Sequence, residues 1–488
     1  MNERRHRIAV ASALLAMICG LLYGTGASAT AAKAARDVSC RTGYAPAKPP
    51  ALSVTPDPNI GQIGQRPAVA GRPAWDGDDR INDSAYVKAT NIVYLGGWFD
   101  VYLWHGVAYQ RHNAVAINAT TGEPTAWAPN VGGEILAVKA SCSGGSIYIG
   151  GSFHHVNGAT RNYAARVSTT TGTTFRWNPN PDAIVQDLSI GYRHLIVSGD
   201  FSRIGGAARS LMASVDPKTG AATGWLRLSI TGHEPEGPAQ VTKLVVNNAG
   251  TYGVALGNFN GVNARSHRRI FVLHFTKSRV WLKHWNTPLT KSNHNANVGT
   301  DCSIQHPAPD LDVAWTPDDS KFGTASTGAA QYGSICDSAA IWSASSKAMK
   351  SRKNKPLAIQ YTGGDSLSAI LLTNTRGWTS GHNRWANNPP LNPQVVVQPC
   401  SPNQLPIKLG PGFAGYDCKG PGAIDRPGLI GFNLSTMRAT SWNPGRSRQR
   451  SMHNTMFFTS LGMCIGSDGD DAAGQPHNDL VCFPFVRA

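Results

Sequence analysis

Charge is scarce in this 488-residue chain: Asp, Glu, Lys and Arg together make up only 15% of it. So sparse a charge disfavours a helical bundle or coiled coil, and a hydrophobic content of 41% is too high for a disordered chain. After Tyr23 no apolar run approaches the ~20 residues that a membrane-spanning helix needs. No Cys-x-x-Cys pair occurs, which removes thioredoxin-type redox chemistry and a cysteine zinc site. Gly-x-Ser-x-Gly, His-Glu-x-x-His, Walker-type and Ser-x-Asp-x-Gly motifs are missing as well. The acidic run Ser467-Asp468-Gly469-Asp470-Asp471 lacks the alternating spacing of a calcium loop and reads as a solvated turn. The histidines are scattered, so neither a metal nor a cofactor is expected.

Turn formers and positive charge are plentiful instead. Gly 52 and Pro 31 favour many short strands joined by turns. Lys and Arg number 45 against 29 Asp and Glu, a formal charge of +16, which suggests anionic partners and fixes no fold. Arg4-Arg5-His6-Arg7, the apolar run Ile8 to Tyr23 and the small residues ending Ala27-Ser28-Ala29 follow the order of a secretory signal. Residues 1–29 are therefore expected to be a cleaved signal peptide, leaving a secreted, extracellular or cell-wall-associated protein with no nucleic-acid partner and no transmembrane anchor. Residues 30–58 read as a Pro/Ala-rich linker, and 59–488 as one domain, expected to be monomeric.

Cys19 falls in the signal, and the remaining cysteines are even in number, as suits disulfides in an exported chain. Pairs within one repeat or insertion are expected: Cys302–Cys336, Cys400–Cys418 and Cys464–Cys482. Cys40–Cys142 is left by elimination.

The repeat carries the fold. Val93-Tyr94-Leu95-Gly96-Gly97-Trp98-Phe99 returns as Ile147-Tyr148-Ile149-Gly150-Gly151-Ser152-Phe153, then as Gly199-Asp200-Phe201 and Gly257-Asn258-Phe259. Each is followed by an arginine and a tryptophan, Trp127, Trp177, Trp225 and Trp285, and the first three also by a Thr-Gly turn. A period of roughly 50 residues that resolves into four short strands is a propeller blade. The expected class is all-β: a seven-bladed β-propeller of four-stranded antiparallel blades. An N-terminal strand, around Ala70 to Trp75, closes the ring by pairing with the last blade. An insertion over about 386–425 interrupts the sixth blade.

On these repeats, with Gly381-His382-Asn383-Arg384-Trp385-Ala386-Asn387-Asn388 and Ser441-Trp442-Asn443-Pro444-Gly445-Arg446, the chain resembles the secreted actinobacterial β-propellers built from delta-sixty-type repeats. The resemblance spans about residues 60–485. It implies fold and export more firmly than activity.

Gly-Gly-x-Phe reads as architecture, the glycine for close approach and the phenylalanine as filling between blades. The repeated Arg111, Arg161, Arg209, Arg268 and Arg426 read as donors to carbonyls of a neighbouring blade. The loops on one side of the disc collect cations, and Arg446, Arg448 and Arg450 lie outside the repeated set. With His382, Arg384 and Trp385 they form the candidate ligand-binding group, for an anionic extracellular or cell-wall polysaccharide. The basic segment Lys347 to Lys355 reads as a solvated turn. No catalytic residue is assigned. The different-class alternative is an extracellular polysaccharide hydrolase or lyase, which requires unrepeated carboxylate, His or Tyr side chains meeting at the funnel.

Overall fold

A computed structural model describes residues 44–64, 79–233, 237–290, 312–327, 335, 337–362, 366–387, 422–446, 455–467, 471–477 and 479–486. The fold is all-β, built of many small antiparallel sheets. Among the described residues there is no α-helix, and none of the helical turns is long and apolar enough to cross a membrane.

Seven sheets follow one another along the described chain, each beginning with three antiparallel strands in sequence order. Their first strands are Arg80–Val87, Ile135–Ala140, Val185–Gly191, Gln240–Val246, Asp312–Trp315, Leu367–Leu372 and Thr455–Phe458. These are called units one to seven. Units four and five add a fourth strand, Val280–Leu282 and Ala358–Tyr361. In units one, two, three and six the fourth segment makes only single bridges, such as Val167 with Thr174 and Phe432 with Ala439. The expected four full strands are thus shortened there, because the chain turns away as the next tryptophan tucks between sheets.

The first strand of each unit touches that of the next, and Thr455–Phe458 touches Arg80–Val87. One hydrophobic cluster lies in each seam. Trp127, Ile135 and Phe153 share the seam of units one and two; Trp177, Val185 and Phe201 that of two and three. Phe99, Phe153, Phe201 and Phe259 are all fully buried, and full burial of such a side chain is worth about 1.5–3 kcal/mol.

The glycine pair has a two-part cause. A Cβ on Gly151 would lie 2.0 Å from the Glu134 carbonyl oxygen, where the first strand bulges between Ile135 and Ala137. A Cβ on Gly150 would strike Val185 of the following unit. The motif therefore lets one strand approach its own bulge and the next sheet together.

The tryptophans stitch the seams by a repeated hydrogen bond. The indole N–H of Trp127 donates to Ser168 O at 2.8 Å, Trp177 to Asp216 O at 2.9 Å and Trp225 to Thr276 O at 2.9 Å. The asparagine of the Asn-Gly turn adds a second stitch: Asn157, at φ 52°, accepts from Asn130 N through its side chain at 2.8 Å.

The N-terminal segment departs from expectation. Residues 44–58 are not a free linker: Tyr44 bridges Phe458 and Leu52 bridges Phe485 in unit seven. Ser53 N donates to Pro484 O and Asp57 N to Cys482 O, each at 2.8 Å. Trp442 of unit six donates to Ser53 O at 2.8 Å, the tryptophan stitch made with the other end of the chain. The strap continues into unit one, where Gln62–Gly64 pairs with Val101–Leu103 and Ile63 is fully buried. The closing strand expected at 70–75 lies outside the described residues.

Cys464 and Cys482 face each other on adjacent strands of unit seven and are joined by a disulfide. Cys142 is also disulfide-bonded. Cys40, Cys302, Cys336, Cys400 and Cys418 lie outside the described residues, so the other expected pairings are not addressed.

Candidate functional site

The first strands bring together a set of charged residues that sequence reading passed over. At the bulge, units one, three and four place Asp83, Asp187 and Lys243; two residues beyond it unit two places Lys139, and at the first residue of its strand unit five places Asp312. In chain order the sign thus alternates from one strand to the next. Unit six offers Ala369 at its bulge, and unit seven Thr455 at the first residue of its strand. The three carboxylates share one task. Asp83 Oδ2 accepts Val138 N at 2.8 Å, Asp187 Oδ2 accepts Leu244 N at 2.8 Å and Asp312 Oδ2 accepts Ile370 N at 2.9 Å. Each carboxylate thus ties one unit to the backbone of the next.

The lysines compensate that charge. Lys243 Nζ lies 3.7 Å from Asp312 Oδ1, with 28% and 15% of the two side chains exposed. Burial acts to lower the Lys243 ammonium, but Asp312, Asp83 and Asp187 outweigh it and hold it above the usual lysine range. Burial lowers Lys139, against the pull of Asp187 and Asp83. Three carboxylates against two ammonium groups leave one acid poorly compensated. That is Asp187, 6% exposed, whose carboxyl burial pushes up to about 6 despite Lys243. Burial likewise raises Asp312, with Lys243 opposing.

At the start of the first strands a second polar group closes the seam of units one and two. Arg80 Nε donates to Glu134 Oε1 at 2.9 Å, and Asn82 Nδ2 to the same oxygen at 2.8 Å. Gln186 reaches both oxygens of Asp200, at 3.3 and 3.2 Å.

The repeated arginines are structural, though not in the manner expected. Arg161 donates to Thr160 O and Phe175 O, both at 2.8 Å, and Arg111, Arg209 and Arg426 repeat the pattern. The carbonyls belong to the arginine's own unit, so the guanidinium pins the fourth segment to the hairpin rather than bridging two units. In unit four the position belongs to His267 and not Arg268: His267 N donates to Asn260 O as Arg161 N does to His154 O. Phe259 precedes His267 by the interval at which Phe153 precedes Arg161, a signal present in the sequence.

Of the expected ligand group, Arg446 and Trp385 are buried rather than part of an exposed surface. Arg446 is 3% exposed; its guanidinium donates to Ser467 Oγ at 2.5 Å, and its backbone bridges Ala472 of unit seven. It occupies a seam, where unit one has Val131 bridging Val156. Trp385 is 7% exposed and pairs in a short strand with Asp425, while the Arg384 guanidinium lies 4.5 Å above its ring. His382 is half-buried, with its backbone N–H on Ser366 O. Arg448 and Arg450 lie outside the described residues. Exposed side chains do gather on the hairpins that link second and third strands: His155, Arg203 and Arg265 project from three consecutive ones.

No family model matches the chain, and no curated protein matches it. A solved structure described as that of U3-55K is similar at a TM-score of 0.43 and 11% sequence identity, with 88% of this chain and 100% of that chain covered.

Proposed function

We propose that the chain is a secreted seven-bladed β-propeller of the delta-sixty-repeat kind, serving as a binding scaffold for an anionic extracellular or cell-wall polymer. The succession of seam contacts from unit one through unit seven and back to unit one supports the ring. Six of its joints are made by neighbouring stretches of chain, and the seventh by the strap of residues 44–64. The leader-like residues 1–29 support export.

The observation that carries the binding reading is a division of charge. The buried ionisable groups are tied to backbone N–H groups and to one another across the seams, whereas successive hairpins expose His155, Arg203 and Arg265 on one side. Exposed cations attract polyanions without any chemistry being required of them. Cosedimentation with purified cell wall across a salt series tests the reading. Binding should fall steeply between 0.1 and 1 M salt, as the Debye length shrinks from about 10 Å to about 3 Å. Absence of binding at low salt, or binding indifferent to salt, overturns it.

A further inference from the structure

Unit four breaks the arginine pattern, and its neighbours explain what the break makes room for. In units one, two, three and six a guanidinium fills the slot and bonds two carbonyls, whereas unit four has His267 there and unit seven His477; an imidazole has fewer donors and cannot do both. His267 sits there 3% exposed, and its Nδ1 has no hydrogen-bond partner. A buried polar atom without a partner costs about 1–3 kcal/mol, which makes it a mark to be explained.

Three stretches of chain converge on this histidine. Asn286 Nδ2 donates to Ser266 O at 2.7 Å, joining the tail of unit four to its hairpin. Asn286 N donates to Ser351 O at 3.1 Å and Asn354 N to Asn286 O at 2.9 Å, which fastens the basic segment of unit five alongside. Asn354 Nδ2 donates further to Ser351 O at 3.0 Å and Ala348 O at 3.2 Å. The segment keeps its cations in solvent, as expected, and its backbone is a held element. Arg352 Nη2 lies 3.4 Å from His284 Nδ1.

The convergence is one-sided in charge. Burial, then Arg265, His284 and Arg352, push the His267 imidazole down to about 4, and no carboxylate among the described residues acts on it. Arg265, His284 and Arg352 are exposed beside it, and Lys353 and Lys355 are exposed on the same held segment. Among the described residues Arg265 and Arg352 make no ion pair with a carboxylate. Like charges held together by a rigid backbone raise the energy of the empty site, and an anion bound among them relieves it.

We propose that Arg265, His284 and Arg352, with His267 at the base, form a binding site for a tetrahedral oxyanion: the phosphate or sulfate group of an extracellular polymer. The site deepens the scaffold reading and rests on it for the polymer, while replacing Arg446, Arg448 and Arg450 as the point of contact.

Titration calorimetry on the full mature chain at fixed low salt tests the site with two probes, inorganic phosphate and poly(glycerol phosphate). Arg265→Gln/Arg352→Gln should weaken both at least tenfold, whereas Lys218→Gln/Lys277→Gln, which removes two exposed cations that lie outside the hairpins linking second and third strands, should weaken them less than twofold. Both substituted arginines are exposed, so melting curves should stay unchanged and exclude misfolding as the cause. Equal losses from the two variants would mean diffuse surface charge and overturn the site. Polymer binding untouched by Arg265→Gln/Arg352→Gln overturns the site and leaves the scaffold reading standing. Inorganic phosphate bound through these arginines, with polymer ignored, keeps the site and removes the polymer reading. Neither probe bound by the mature chain removes both.

Discussion

Units two and seven begin with the same three-strand plan, yet one is closed by its own neighbourhood and the other by the far end of the chain. Around unit two, Trp127 donates into it, its own Trp177 donates onward, and Asn157 clasps the preceding loop, all between residues close in sequence. Unit seven receives its tryptophan stitch at Ser53, from Trp442, and its outer edge from residues 44–57. A disulfide joins its second and third strands, whereas the disulfide-bonded Cys142 of unit two lies in the turn between its first and second strands. Interior seams can therefore form as the chain advances, whereas the last one needs a contact that spans nearly the whole sequence and costs the most chain entropy.

The largest effect expected of this contrast comes from removing the strap. A chain starting at residue 59 loses Leu52 burial, the Trp442 hydrogen bond and three backbone bonds to unit seven. At about 1.5–3 kcal/mol for the leucine and about 1 kcal/mol for each hydrogen bond, the loss is about 5 kcal/mol or more. A chain starting at residue 43 keeps the strap but lacks Cys40, so it separates the two causes. Calorimetry should show the residue-59 chain melting far below the residue-43 chain. Coincident melts would mean the strap is not the closure.

The disulfide is the next largest. Cys464 and Cys482 are separated by 18 residues, for which loop-closure entropy gives about 3 kcal/mol. Cys464→Ala/Cys482→Ala should lower the stability of the full chain by about that amount under non-reducing conditions. Urea titrations that find no difference would mean the sheet alone holds unit seven.

Much of unit two was legible in its residues, and little of unit seven was. Gly150, Gly151, Phe153 and Trp177 announce close approach and seam filling by their type and period, and they do just that. The pairing of Leu52 with Phe485 has no period, and proline between residues 46 and 58 imitates a spacer. Asp83, Asp187 and Asp312 escaped notice because they recur only in alternate units and lie in strands that otherwise read as apolar. Arg446 was misjudged because its position after Trp-Asn-Pro resembles a loop, whereas that stretch re-enters the seam with unit seven. His267 was missed by one residue, through matching arginine to arginine instead of counting from Phe259.

The smallest effect sharpens the contrast through pH. Asp187 ties units three and four, an interior seam, whereas the joint between units seven and one carries Thr455 at that position. With its carboxyl raised to about 6, Asp187 holds a proton in the native state between pH ~4 and ~6 that the unfolded chain releases. Its contribution to stability is therefore full below pH ~4 and is lost as pH rises through about 6. His267, lowered to about 4, does the reverse: its contribution is present above the ordinary histidine range near 6.5 and is lost as pH falls toward 4. Over pH ~4 to ~6 the two slopes oppose, and the wild-type curve should be flatter than either group alone would make it. Asp187→Asn keeps an oxygen for the Leu244 N–H and removes one slope, so its urea midpoint should drop faster than wild type on acidification from pH 6.5 to 4.5. His267→Gln should drop more slowly. Proteolysis of the strap around residues 44–57 should be the same in Asp187→Asn and wild type at each pH, since the closing seam lacks the carboxylate. Parallel urea curves for Asp187→Asn and wild type would show that Asp187 binds its proton alike in both states, and would remove the buried charge ring as the source of any difference between interior and closing seams.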